Sequence, residues 1–156
     1  MNKHTLYSLV TNVFEPAAKS HPSVSSFGTG ENFLLSAAGN SKAPHVWLEQ
    51  PFHYQSELKE GPRTRVHDFA FLFLDKNQQD KSDELKILSK MGLVSEWFIS
   101  KLHETYGEDL NLLESDTITY TEYHDDNWTG VRTELRVEVR WSVDGCDPKN
   151  SDLYKL

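Results

Sequence analysis

Cysteine is almost missing from this chain, and so is any long apolar run. The single cysteine, Cys146, excludes an intramolecular disulfide and makes a cysteine-based metal cluster implausible, so a reducing compartment such as a cytoplasm is the simplest home. No segment approaches the roughly 20 apolar residues that span a bilayer. The N-terminal stretch M-N-K-H-T-L-Y-S-L-V has no continuous apolar run and no small-residue cleavage site, and no signal peptide is expected. Without one, the acceptor-like Asn127-Trp128-Thr129 is an accident of composition. Basic charge is in deficit: 16 Lys and Arg against 24 Asp and Glu leave a net charge of -8. A dedicated phosphate-backbone binder gains affinity from basic surfaces, so this balance argues against one.

Catalytic signatures are also lacking. The seven histidines, His4, His21, His45, His53, His67, His103 and His124, are scattered with no H-x-x-x-H pair. His67-Asp68 opens an extended stretch, where neighbours point to opposite faces and cannot chelate together. His124-Asp125-Asp126-Asn127 is what a turn between two strands requires. Gly28-Thr29-Gly30 lacks the third glycine of a dinucleotide loop, and Cys146 sits beside Asp144 and Asp147, which discourage a thiolate. No nucleophile elbow supports a Ser-His-Asp triad. No cofactor, metal ligand or catalytic residue is assigned.

What the sequence does contain is a clear strand. From Val131 to Val143, odd positions carry Val131, Thr133, Leu135, Val137, Val139, Trp141 and Val143, and even positions carry Arg132, Glu134, Arg136, Glu138, Arg140 and Ser142. A period of two places one face on a core and the other in water or on a polar partner. The even face is a ladder of alternating sign: either a solvated face with cross-strand pairs or a subunit interface whose charges fix register.

At 156 residues, with 37% hydrophobic, 26% charged and 12% aromatic residues, the chain fits one folded domain. Leu6, Leu9, Val10, Val13 and Phe14 predict an amphipathic helix over residues 3 to 15 that stops at Pro16. Residues 16 to 44 read as a long loop, with one turn or short strand at Phe33-Leu34-Leu35. His45 to Tyr54 reads as a strand with Pro51 marking an edge or bulge, Gln55 to Arg65 as an extended loop or protruding hairpin tip, and Val66 to Leu74 as a central strand. Ser82 is the expected N-cap of a long helix to about Tyr106, with Ile87, Met91, Val94, Phe98 and Leu102 as its stripe and Gly107 as its C-terminal cap. Thr117 to Tyr123 completes a hairpin with the opening strand, and residues 144 to 156 form a polar tail. The expected fold is α+β: a four-stranded, mainly antiparallel sheet with an N-terminal helix and one long helix on one face, in a single domain over residues 1 to 143.

A leading helix, a strand of the H-V-W-L-E-Q-P-F kind, the apolar strand V-H-D-F-A-F-L-F-L-D, a long helix and a final hairpin ending L-R-V-E-V-R-W resemble the tail terminator and neck-ring proteins of tailed bacteriophages. The resemblance lies in the order and character of elements over roughly residues 1 to 143, without a short diagnostic motif. The long segments 16 to 44 and 55 to 65 depart from the pattern. The resemblance implies a non-enzymatic virion subunit, made in the host cytoplasm. It would form a homo-oligomeric ring that joins or caps a DNA channel against adjacent neck, portal or tail proteins, with DNA passing and no sequence-specific binding. The ring-to-ring contacts are then expected on the loop bearing Glu57, Lys59, Arg63 and Arg65 and on the turn His124 to Gly130, with Trp128 either an exposed anchor or folded back over the long helix. Arg132, Glu134, Arg136, Glu138 and Arg140 become an inter-subunit seam or a channel lining. The competing reading is a cytosolic acidic binding module, an immunity-type inhibitor or adaptor, and an enzyme with a cleft beneath the 16 to 44 loop ranks last.

Overall fold

The computed structural model describes residues 5–31, 42–57, 63–77, 82–121 and 128–141. The tail 144–156, the tip of the 55–65 loop, the turn 124–127 and Phe33-Leu34-Leu35 lie outside the described residues, as do the side chains of Arg63, Arg140 and Trp141.

The chain is α+β. A mixed sheet is built from β1 (Ser26–Gly30), β2 (His45–Glu49), β3 (His53–Glu57), β4 (Arg63–Lys76), β5 (Leu110–Thr121) and β6 (Trp128–Trp141), with spatial order β1-β2-β4-β6-β5 and β3 beside β4. Only the β1–β2 pair is parallel; the other pairings are antiparallel. β4 and β6 are fully paired from Arg63↔Trp141 to Lys76↔Trp128 and form the spine.

One face of this spine is apolar. Phe69, Phe71 and Phe73 of β4 and Val131, Leu135, Val137 and Val139 of β6 alternate onto it. Helix α3 (Glu84–Tyr106) lays the expected stripe Ile87, Met91, Val94, Phe98 and Leu102 on that face, all buried. Ser95 is buried too, and its hydroxyl meets Thr133 Oγ1 at 2.7 Å, which in turn lies 3.0 Å from Thr117 Oγ1. The N-terminal helical segment completes the layer. Phe14 stands edge-on to Phe69 and Phe71, with centroids 4.8 and 5.2 Å away. Both helical elements therefore sit on one face of the sheet.

Four differences from the sequence reading have physical causes. The N-terminal helix does not stop at Pro16: it runs as α1 (Leu6–Ser8), a π-helical turn (Leu9–Phe14) and α2 (Glu15–Lys19). The N–H that proline lacks falls where the wide hydrogen-bond register gives way to the α register, so its loss is tolerated. Six strands replace the expected four. The long loop contains β1, whose S-F-G-T-G sequence has too little alternation to read as a strand, and the expected strand from His45 to Tyr54 divides at Gln50-Pro51, because proline cannot donate to the ladder. β5 begins seven residues before Thr117, at Leu110. A bulge between Leu112 and Glu114 moves the inward phase from even to odd positions and hides the period. The cap of α3 is Asp83 and not Ser82, and the Asp83 side chain makes no capping hydrogen bond.

Candidate functional site: the charged face of the sheet

Among the described residues no helix lies on the second sheet face, and that face is divided. At one end Trp47, Leu72, Leu74 and Trp128 form a small apolar cluster with Ala43 and Tyr120 against it. The rest is charged. Alternation along β4 and β6 forces Asp68, Arg132, Glu134, Arg136 and Glu138 outward because their neighbours fill the core. β2 adds Glu49, and β5 adds Glu114 and Asp116. All of these except Glu138 line a shallow concavity of about 490 Å³.

Arg132 organises the centre. Its Nε and Nη2 each lie 3.0 Å from Glu49 Oε2, and its Nη1 lies 2.6 Å from Glu134 Oε1. Partial burial disfavours the guanidinium charge, but the hydrogen bond and charge of Glu134 and those of Glu49 outweigh it, so its pKa rises. Arg136 Nε lies 3.6 Å from Asp68 Oδ1, and His53 Nδ1 on β3 lies 3.1 Å from Asp68 Oδ2. Asn111 Nδ2 donates to Glu138 Oε1 at 3.4 Å. Glu49, Asp68, Glu114, Asp116 and Glu134 set five carboxylates against two guanidinium groups around the concavity. The surface is therefore acidic and crossed by ion pairs, suited to meeting a complementary polar surface.

The structure gathers Arg132, Glu134, Arg136 and Glu138 on this face as the period of two requires. Arg140 continues their register on β6 opposite Thr64. Glu57 shares this face, since it pairs with Thr64, which is in register with Arg140; of the other expected loop residues, Arg65 does not. Glu57 ends β3 and accepts a hydrogen bond from Thr64 Oγ1 at 3.2 Å. Arg65 stacks over the Tyr54 ring at 4.8 Å, on the phase of β4 that carries His67 and Phe69. Arg63 opens β4 opposite Trp141, and Lys59 lies outside the described residues. Of the two readings of residues 55 to 65, extended loop or hairpin tip, the structure favours the hairpin: β3 and β4 pair from His53↔Asp68 to Glu57↔Thr64, and residues 58–62 lie outside the described residues.

Trp128 is not an exposed anchor. It is fully buried at the start of β6, on the face opposite the helices, with Lys76 Nζ 5.3 Å from its ring centroid. Alternation explains this position. Trp128 and Gly130 precede Arg132 on the outer face, where the apolar cluster replaces the charged one.

Sequence reasoning missed Glu49, Asp68, Glu114 and Asp116. Asp68 had a readable signal, an acidic residue on the outward phase of the central strand. Glu114 and Asp116 were hidden by the bulge. His45 and His67 are buried histidines, each held down to about 4 by burial; at His67 the nearby Arg65 charge adds to the effect and Asp68 opposes it. Ser26 Oγ lies 2.5 Å from His45 Nδ1 and donates its proton to the Lys42 carbonyl at 2.6 Å, so this serine accepts from the ring and is not activated by it. Among the described residues no group of three or more His, Cys, Asp or Glu converges to hold a metal ion, and no helix is long and apolar enough to cross a membrane.

No protein-family model matches the chain, and no curated protein matches it.

Proposed function

We propose that the chain is a non-enzymatic structural subunit of a tailed-phage virion, forming a ring at the neck or tail end that joins or caps the DNA channel. The observation that carries this reading is the two-sided sheet. One face is sealed by α3 and the N-terminal segment, and the other presents an ion-pair lattice of Arg132, Arg136, Glu49, Asp68 and Glu134. Exposed ion pairs add little stability, typically about 0–1 kcal/mol each. Such a lattice is better suited to setting register against a neighbour, or to an acidic channel wall that repels DNA and lets it slide. The order of elements, with a leading helical segment, a β3–β4 hairpin, a long helix and a long final hairpin, supports the same reading. Its partners are copies of itself and adjacent neck, portal or tail proteins.

The acidic excess of the concavity favours a second reading, an acidic binding module for a basic partner. Native mass spectrometry over a range of concentrations, with and without neck proteins, separates the two. The ring reading expects closed homo-oligomers, and a stable monomer under every condition rejects it. Charge reversal at Arg136 and Arg140 is expected to impair assembly while the monomer stays folded, and normal assembly of that double variant removes this face from the contact.

A further inference from the structure

The two outermost strands of the sheet stand at opposite ends of the same rows. One row runs Ser26, His45, Leu74, Gly130 and Tyr120, and another runs Thr29, Leu48, Phe71, Thr133 and Thr117. No described strand lies beyond β1 or β5. An edge strand presents unpaired backbone groups as a template for another chain, and folded proteins blunt it with charge, proline or a bulge. The first half of β5 is blunted in this way, by the bulge at Leu112 and Glu114 and by the carboxylates of Glu114 and Asp116. Its second half, T-I-T-Y-T, and β1, S-F-G-T-G, carry no such device.

The backbones of these two edges are in phase for pairing. Gln50 N–H donates to the Gly30 carbonyl at 2.8 Å, so Ser26, Gly28 and Gly30 turn towards β2, and Phe27 and Thr29 turn outward. The same bond pattern turns Leu48 towards β1. Opposed residues of antiparallel strands either face each other or face away, so Phe71 turns to β6, Thr133 turns to β4, and Thr117 and Thr119 turn outward from β5. The side chains match as well. Phe27 packs on the helix-covered core, the side that Thr117 shares through Thr133 and Ser95. Gly28 lies against the Trp47 ring on the second face, the side on which Ile118 is 57% exposed.

We infer that the β5 edge of one copy pairs with the β1 edge of the next, setting Tyr120 beside Ser26, Ile118 beside Gly28 and Asp116 beside Gly30. This rests on the ring reading and names its seam. The directions agree: β1 is parallel to β2, β2 antiparallel to β4, and β4 parallel to β5 through β6, so a next copy in the same orientation offers β1 antiparallel to β5. Phe27 then meets Thr119, and Thr29 meets Thr117, as hydrogen-bonded pairs. Ile118 covers Gly28 and the Trp47 ring beside it, and β1 brings no charge against Asp116. A slip of two residues in one direction would set Asp116 against that ring, and in the other would shorten the pairing. The first half of β5 faces the step where β3 sits one strand further in, so its bulge and Glu114 take no part in the ladder. Because the two edges differ, the contact is head-to-tail, the kind that closes a ring.

The test places Thr29→Cys and Thr117→Cys together in a Cys146→Ser chain, so that only the introduced thiols can react. Dibromobimane, which joins neighbouring thiols, is expected to give a covalent ladder extending to the ring's copy number, whereas either single cysteine gives none. A ring in native mass spectrometry that yields no ladder overturns this seam and leaves the ring reading standing. A cross-linked dimer from Thr117→Cys alone shows β5 pairing with itself and overturns the seam too. A monomer without a ladder, with neck proteins present, overturns both. As a second measurement, Ile118→Lys puts a charge on this edge and Thr119→Pro deletes an outward N–H. Each is expected to abolish the ring while the monomer stays folded, and a ring formed by either folded variant overturns the pairing.

Discussion

Arg132 on β6 and Glu49 on β2 meet at 3.0 Å although Leu72 of β4 lies between their strands in register. The contact ties the two halves of the sheet across the central strand. Both side chains are about 70% buried, which lifts the pair above a fully exposed bridge but keeps it wet. Arg132→Ala and Glu49→Ala are each expected to cost about 1 kcal/mol. A double-mutant cycle by urea unfolding should return a coupling of about 0.5–1 kcal/mol, and purely additive losses would show that the contact is geometric only.

Acid should weaken the fold through two buried histidines. His45 and His67 have folded pKa values of about 4 against 6.5 for the unfolded groups, so between these values the unfolded chain binds more protons. Their contribution is fully present above about pH 6.5 and is lost as pH falls towards about 4. His67 is stacked at 5.4 Å on Phe69, and among the described residues neither ring nitrogen has a hydrogen-bond partner. His67→Phe should therefore raise the urea midpoint and flatten its slope between pH 6.5 and pH 5. An unchanged slope would place the acid sensitivity elsewhere.

Two glycines should respond oppositely to one methyl group. A Cβ at Gly130 would lie 1.8 Å from the Phe73 carbonyl oxygen, so β4 and β6 would have to separate. A Cβ at Gly92 on α3 meets nothing within 4 Å. Gly130→Ala is expected to cost about 3 kcal/mol or more, and Gly92→Ala to add about 0.5–1 kcal/mol through helix propensity. Thermal unfolding of the two variants reads both signs at once.

Trp128 should behave as core. Trp128→Ala is expected to cost about 3–5 kcal/mol and to lower the unfolding midpoint of the monomer. A variant that keeps the wild-type midpoint but fails to assemble would instead return Trp128 to the role of a contact residue.

The legible parts of the fold were those governed by a single period. The alternation from Val131 to Val139 and the stripe from Ile87 to Leu102 each keep one phase against the core, and both were legible in the sequence. The parts that were not legible change phase. The π-helical turn offsets the N-terminal stripe and carries the chain through Pro16, and the bulge at Leu112 and Glu114 reverses β5. β1 exists because β2 offers it a parallel edge, a long-range cause that its own five residues do not encode. The same limit applied to the charged face. The β6 residues announced themselves, whereas Glu49, Glu114 and Asp116 are assembled from strands distant in sequence. Trp128 was misplaced because a turn-side tryptophan reads alike whether it points to solvent or to a second small core.

The hydroxyl chain Ser95, Thr133 and Thr117 links the long helix to β6 and β5 through 2.7 and 3.0 Å contacts inside an otherwise apolar layer. An oily interface alone would let the helix roll or slide at little cost, but a directional bond at one point removes both freedoms. A tug on the β5 edge is therefore transmitted to a 23-residue rod and not absorbed by slippage beneath it. The long helix and the sheet are braced against each other as a single stiff plate.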